Sequence, residues 1–157
     1  MPSIDESEEF SRDWDWYAVD QDGNIGHFTT AGLRPLPETV RDDRDAAEKL
    51  IQHFEEAQPS TTYEVREAAA RDAGGWGSAG RERFIHSFAE MSSRGLFSYN
   101  TQMAHGPEAA YYLVTRPHQP LTVESVPEEI RVLLMRTRAP FRFGQTEYFL
   151  ESETLKW

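Results

Sequence analysis

The clearest pattern along the chain lies between Asp13 and Gly32, where large apolar residues recur in two short runs. In the first run, Trp14, Trp16 and Ala18 alternate with Asp15, Tyr17 and Val19. In the second, Ile25, His27 and Thr29 alternate with Gly26, Phe28 and Thr30. The joining Gln21-Asp22-Gly23-Asn24 carries a glycine able to take positive φ, so the pattern predicts a β-hairpin. Both faces hold bulky apolar groups, which places this hairpin inside the molecule.

After the prolines at 35 and 37 the period changes from two to 3.6. Ala47, Leu50, Ile51 and Phe54 follow i, i+3, i+4, i+7, predicting a helix that starts between Pro37 and Asp43. Asp42, Asp43 and Asp45 suit its positive N-terminal end. In residues 60–73, Tyr63 and Val65 favour strand and Glu67 to Ala73 favour helix, with helix preferred up to Gly74. A further helix begins near Ser78, buries Phe84, Ile85, Phe88 and Met91, and ends at Gly95 as a C′ residue. Leu96 to Met103 and Ala110 to Arg116 read as strands, the second a nearly continuous apolar run and so central. Ser125 and Pro127 open a helix with Ile130, Leu133 and Leu134 on its apolar face. Phe141 to Phe143 and Glu147 to Leu150 are expected to form a C-terminal hairpin across Gly144.

Strands arrive in adjacent runs and do not alternate regularly with helices. The expected architecture is α+β: a mainly antiparallel sheet with three to four helices packed on it, in a single domain over 13–157. Residues 1–12 are acidic, with only Ile4 and Phe10 as apolar anchors, and read as a partly disordered arm.

Length supports one domain. An 18.0 kDa chain exposes roughly 26,000 Å² unfolded and about 8,000 Å² folded, enough burial for one core without covalent staples. There is no cysteine, which excludes disulfides, thiolate metal sites and cysteine nucleophiles. No apolar run is long enough to span a bilayer and the N-terminus lacks a signal-peptide pattern, so a cytoplasmic location is expected.

The net charge of −11 is unevenly placed: residues 1–58 hold 15 acidic against 5 basic side chains, and residues 59–157 hold 12 against 11. Such a field repels phosphate backbones and anionic lipid, disfavouring nucleic acid and membranes, and favours a basic protein as partner. Acidity alone also serves solubility.

Several motifs hint at chemistry without completing it. Asp20-Gln21-Asp22-Gly23-Asn24 resembles part of a calcium loop, but the first and twelfth positions fall on Ala18 and Thr29. The glycines from Gly74 to Gly80 lack the Gly-Lys-Ser/Thr ending of a phosphate loop. His53 with Glu56, and His86 with Glu90, have same-face helical spacing but no further ligands. Neither a metal nor a cofactor is therefore expected. His105 and Glu108 form a loop pair that offers an alternative ligand or hydrolytic site.

The segment from Trp16 through Gly32, followed by Leu36-Pro37, resembles the opening of small bacterial proteins, some of them similar to immunity-type proteins encoded beside secreted toxins. The resemblance implies a binding protein in the bacterial cytoplasm and carries no catalytic motif. The hairpin's acidic and aromatic residues, Asp13, Trp14, Asp15, Asp20 and Asp22, are then the candidate partner-binding residues, since carboxylates and large rings suit a basic surface. The alternative for most of these rings is a place in the core.

Overall fold

The hairpin forms where the alternation places it. In the computed structural model, which describes residues 2–66, 77–101 and 110–157, strands β1 (Asp15–Val19) and β2 (Ile25–Thr29) pair antiparallel with Val19 opposite Ile25 and Asp15 opposite Thr29. Asp20 accepts the N–H groups of Asp22 and Asn24 through Oδ1, and Gly23 closes the turn at φ +81°. A Cβ at Gly23 would meet nothing nearer than 3.6 Å, so the backbone strain at positive φ is the main cost of Gly23→Val. Its expected cost is about 1–3 kcal/mol; an unchanged thermal midpoint would reject the positive φ at this position.

The sheet continues through β3 (Tyr63–Val65), β4 (Phe97–Thr101), β5 (Tyr111–Pro117) and β6 (Tyr148–Phe149), in the order β1-β2-β4-β5-β3. β5 is central, as its apolar run predicts. One side of it takes β4, and β3 and β6 share the other at opposite ends. The β2–β4 ladder is parallel and the other four are antiparallel. The sheet is thus mixed, because the long connection after β2 returns the chain in the same direction.

Among the described residues the helices are α1 (Glu6–Ser11), α2 (Glu38–Arg41), α3 (Arg44–Glu56), α4 (Gly77–Ser93), α5 (Glu128–Leu134) and α6 (Glu151–Thr154). Six exceed the three to four expected, since α1, α2 and α6 are too short to show a helical period. The predicted helix after Pro37 is split: Asp43 caps α3, its Oδ1 accepting the Ala46 N–H at 3.1 Å, and α2 precedes it.

Both faces of the sheet are buried. On one, Trp16, Phe28, Tyr99, Tyr111, Phe143, Phe149 and Trp157 form an aromatic core. On the other, Tyr17, Val19 and Ile25 pack against Leu50 and Phe54 of α3, Met91 of α4, and Ile130 and Leu134 of α5.

Other expectations need correction. The acidic segment expected to be a partly disordered arm is held to the domain over its described residues 2–12: Ile4 is buried, its N–H bonds Arg41 O at 2.8 Å, and Glu9 is buried where it accepts the Leu36 N–H. The C-terminal hairpin across Gly144 does not form; Phe143 and Phe149 enter the aromatic core, and β6 pairs with β5 instead. Ser125 does not cap α5; it lies in a 3₁₀ turn, and Pro127 occupies the cap position. The helix preferred over 60–73 does not extend through Tyr63–Val65, which form β3 because they pair with β5, and its part at 67–73 lies outside the described residues.

Candidate functional site

Alternation puts Asp13, Asp15 and Tyr17 on one face of the hairpin. The pairings Tyr17 with His27 and Asp15 with Thr29, then His27 with Ser98 and Thr29 with Asn100, extend that face across β2 and β4. α3 packs on β1, and α4 on β4 and β5. Where β1 begins and β2 and β4 end, a cleft of about 390 Å³ opens between sheet and helices. Asp13, Asp15, His27 and Thr29 line it from the hairpin, Glu55 from the end of α3, and Phe84, Ser87, Phe88, Glu90 and Met91 from α4. Four carboxylates border this space, and no lysine or arginine among the described residues lines it.

His27 is the most deeply buried polar residue lining the cleft among the described residues, 1% exposed. Its Nδ1 stands 2.7 Å from Ser98 Oγ, which orients the ring. Its Nε2 lies 3.3 Å from Asp15 Oδ2, within ion-pair reach. The contact is too oblique for a hydrogen bond, so the capacity of Nε2 is unspent. A buried polar atom in that condition costs free energy that a ligand atom can recover. Phe88 sits beside the imidazole at 6.4 Å between ring centroids, and Phe84 packs 5.8 Å from Phe88.

The carboxylates influence one another. Burial raises the Asp13 carboxyl above the usual range, the nearby Asp15 charge raises it further, and the Ala31 N–H, donating at 2.7 Å, pulls back. Asp13 thus gains a proton more readily than an ordinary aspartate. Burial, followed by the charges of Asp15 and Glu55, also holds Tyr17 well above its ordinary value and keeps it a neutral phenol.

Ser98, His27 and Asp15 are the residue types of a nucleophilic relay, but the geometry opposes that role. Ser98 is fully buried and does not line the cleft. The imidazole meets the cavity, and the Ser98 hydroxyl does not. No group of three or more His, Asp or Glu side chains converges for a metal among the described residues.

Of the hairpin residues singled out from sequence, Asp13 and Asp15 belong to this cleft. Trp14 does not: it is 1% exposed, packs in the aromatic core, and bonds Glu8 O through its indole N–H. It is no more accessible than Trp16, so it offers no surface anchor. Asp20 is equally buried and holds the turn, its Oδ2 accepting the Phe143 N–H at 2.9 Å. Asp22 lies at the turn, at the far end of β1, and pairs with Arg142 at 3.4 Å. His105 and Glu108 fall outside the described residues. Sequence reasoning missed His27, Glu55 and Glu90 as site residues. A signal for His27 was present, since a tight turn fixing Val19 opposite Ile25 also places His27 beside Tyr17 on the face of Asp15.

No protein-family model matches the chain, and neither a curated protein nor a solved structure shows significant similarity to it. No helix among the described residues is long and apolar enough to cross a membrane.

Proposed function

We propose that the protein is a non-enzymatic interaction module that captures a basic protein partner through the His27 cleft, in the manner of an immunity-type protein neutralising a basic toxin domain. The observation carrying this reading is the concave site itself: among the described residues, four carboxylates, no lining lysine or arginine, and a buried imidazole nitrogen without a hydrogen bond. A cation supplied from outside satisfies all three conditions. The overall charge of −11 adds steering toward a basic surface. The acidity of residues 1–58 and the resemblance of the hairpin segment support the same partner class.

The test compares cleft acids with an acid outside the cleft. Immobilised protein is expected to retain a basic polypeptide from an extract of its native host. Asp15→Asn combined with Glu55→Gln should lose most of that retention while the thermal midpoint holds, because Glu55 is exposed and Asp15 partly so, and solvent-screened charges contribute little stability. Asp22→Asn should keep it. With the retained polypeptide purified, association is expected to slow several-fold for the double variant and to slow further with salt, as screening shortens the field to ~10 Å at 0.1 M. Equal retention by the double variant, or association indifferent to salt, overturns the reading.

A further inference from the structure

We infer that the cleft is a guanidinium subsite, built for an arginine side chain rather than for lysine or a metal ion. This rests on the proposed reading of the cleft as a cation site and names the cation.

The acceptors are spread around the cavity instead of converging on a point. Asp13 and Asp15 approach from the hairpin, Glu55 from α3 and Glu90 from α4. Such a spread suits a group whose charge and donors are themselves distributed. A guanidinium offers five N–H donors in one plane, whereas an ammonium is a compact, strongly hydrated point charge. At the floor, His27 Nε2 and Asp15 Oδ2 stand 3.3 Å apart without bonding each other. Two neighbouring N–H groups of one planar fork can address both atoms together, a task for which the diverging donors of an ammonium are less suited.

The walls favour the same group. Phe84, Phe88 and Met91, on the same helix as Glu90, add apolar lining to the cleft. A weakly hydrated guanidinium stacks on aromatic faces and gives up water there more easily than an ammonium. The volume of about 390 Å³ lies within the range of roughly 300–1,000 Å³ typical of ligand pockets, so a side chain with its flanking backbone can enter.

The tautomer of His27 follows from this. To accept from a cation, Nε2 must present its lone pair, which places the ring proton on Nδ1, where it is donated to Ser98 Oγ at 2.7 Å. Occupancy by a guanidinium therefore selects the Nδ1–H form, a change that a merely structural histidine would not undergo.

The experiment titrates the intact protein with N-acetylargininamide and N-acetyllysinamide, each carrying one positive charge, while imidazole nitrogen resonances are followed by NMR. The arginine probe is expected to bind at least about tenfold more tightly and to move His27 toward the Nδ1–H tautomer. Asp15→Asn and Glu55→Gln should each weaken it by about tenfold to a hundredfold, the range for a hydrogen bond to a charged group. Asp22→Asn should leave it unchanged. Equal affinity for the two probes overturns the guanidinium assignment while leaving a general cation site, and with it the proposed function, intact. No response of His27 to either probe, in protein that still retains its basic polypeptide, overturns the subsite and not the partner. Selective arginine binding in protein that retains no polypeptide upholds the subsite and assigns it to a free guanidinium compound.

Discussion

Phe28→Ala is expected to lower stability by about 3–5 kcal/mol, the usual cost of truncating a buried phenylalanine. Phe28 is fully buried and sits at the centre of the aromatic face. It stacks on Trp16 at 4.3 Å and on Tyr99 at 4.8 Å, with Tyr111 at 5.3 Å and Trp157 at 5.7 Å meeting it edgewise. Those rings come from three strands and the C-terminal segment, so no single movement can close the space that the phenyl leaves. Set against a total stability of order 5–15 kcal/mol, the loss is a large fraction of the whole. The thermal midpoint should fall by roughly 6–20 °C for a chain of this size. Phe28 faces away from the cleft, so probe binding by the protein still folded at low temperature should persist. A midpoint within a degree or two of the parent would show that these rings are not close-packed.

Gly95→Ala is expected to be comparably damaging for a different reason. Gly95 ends α4 at φ +97°, a conformation costing a residue with a Cβ about 1–3 kcal/mol. Here the added carbon also has nowhere to go. It would lie 2.6 Å from both Leu121 N and Leu121 Cβ, and that same N–H donates to Gly95 O at 2.9 Å. Relieving the clash breaks this bond or shifts backbone, adding about 1–3 kcal/mol more. Urea unfolding of Gly95→Ala beside Gly23→Ala separates the two contributions, because Gly23 shares the positive φ but an added Cβ there makes only an ordinary contact with Val123 at 3.6 Å. The Gly95 variant should lose the more stability; equal losses would mean that the segment at Leu121 yields freely and that only φ matters.

Much of the local structure was legible because its causes lie within a few residues. The β1–β2 turn follows from Asp-Gly between alternating runs, and α3 from Ala47, Leu50 and Phe54 recurring on one face. Gly95 was readable as a helix stop because its freedom of φ is intrinsic. The C-terminal rings show where such reasoning fails. Phe141, Phe143 and Phe149 have a strand-like spacing, yet Phe143 and Phe149 are drawn into the aromatic core, and that attraction outweighs a ladder across Gly144. Trp14 misled in the same way: acidic neighbours suggested a surface position, while alternation puts its ring on the face opposite Asp13 and Asp15.

By itself, then, the amino-acid sequence determined the hairpin, the principal helices, the central place of β5, the α+β class and the excess of acid in the first third. Each depends on short-range spacing, intrinsic backbone preference or simple charge. Tertiary structure alone decided which acids meet. His27 and Ser98 are brought together across the parallel β2–β4 ladder, 71 positions apart, and Glu55 and Glu90 arrive on two different helices. Nothing local encodes that meeting, because it follows from how the helices bury their apolar faces against the sheet, which brings Glu55 and Glu90 to the cleft that Asp13 and Asp15 line from the hairpin.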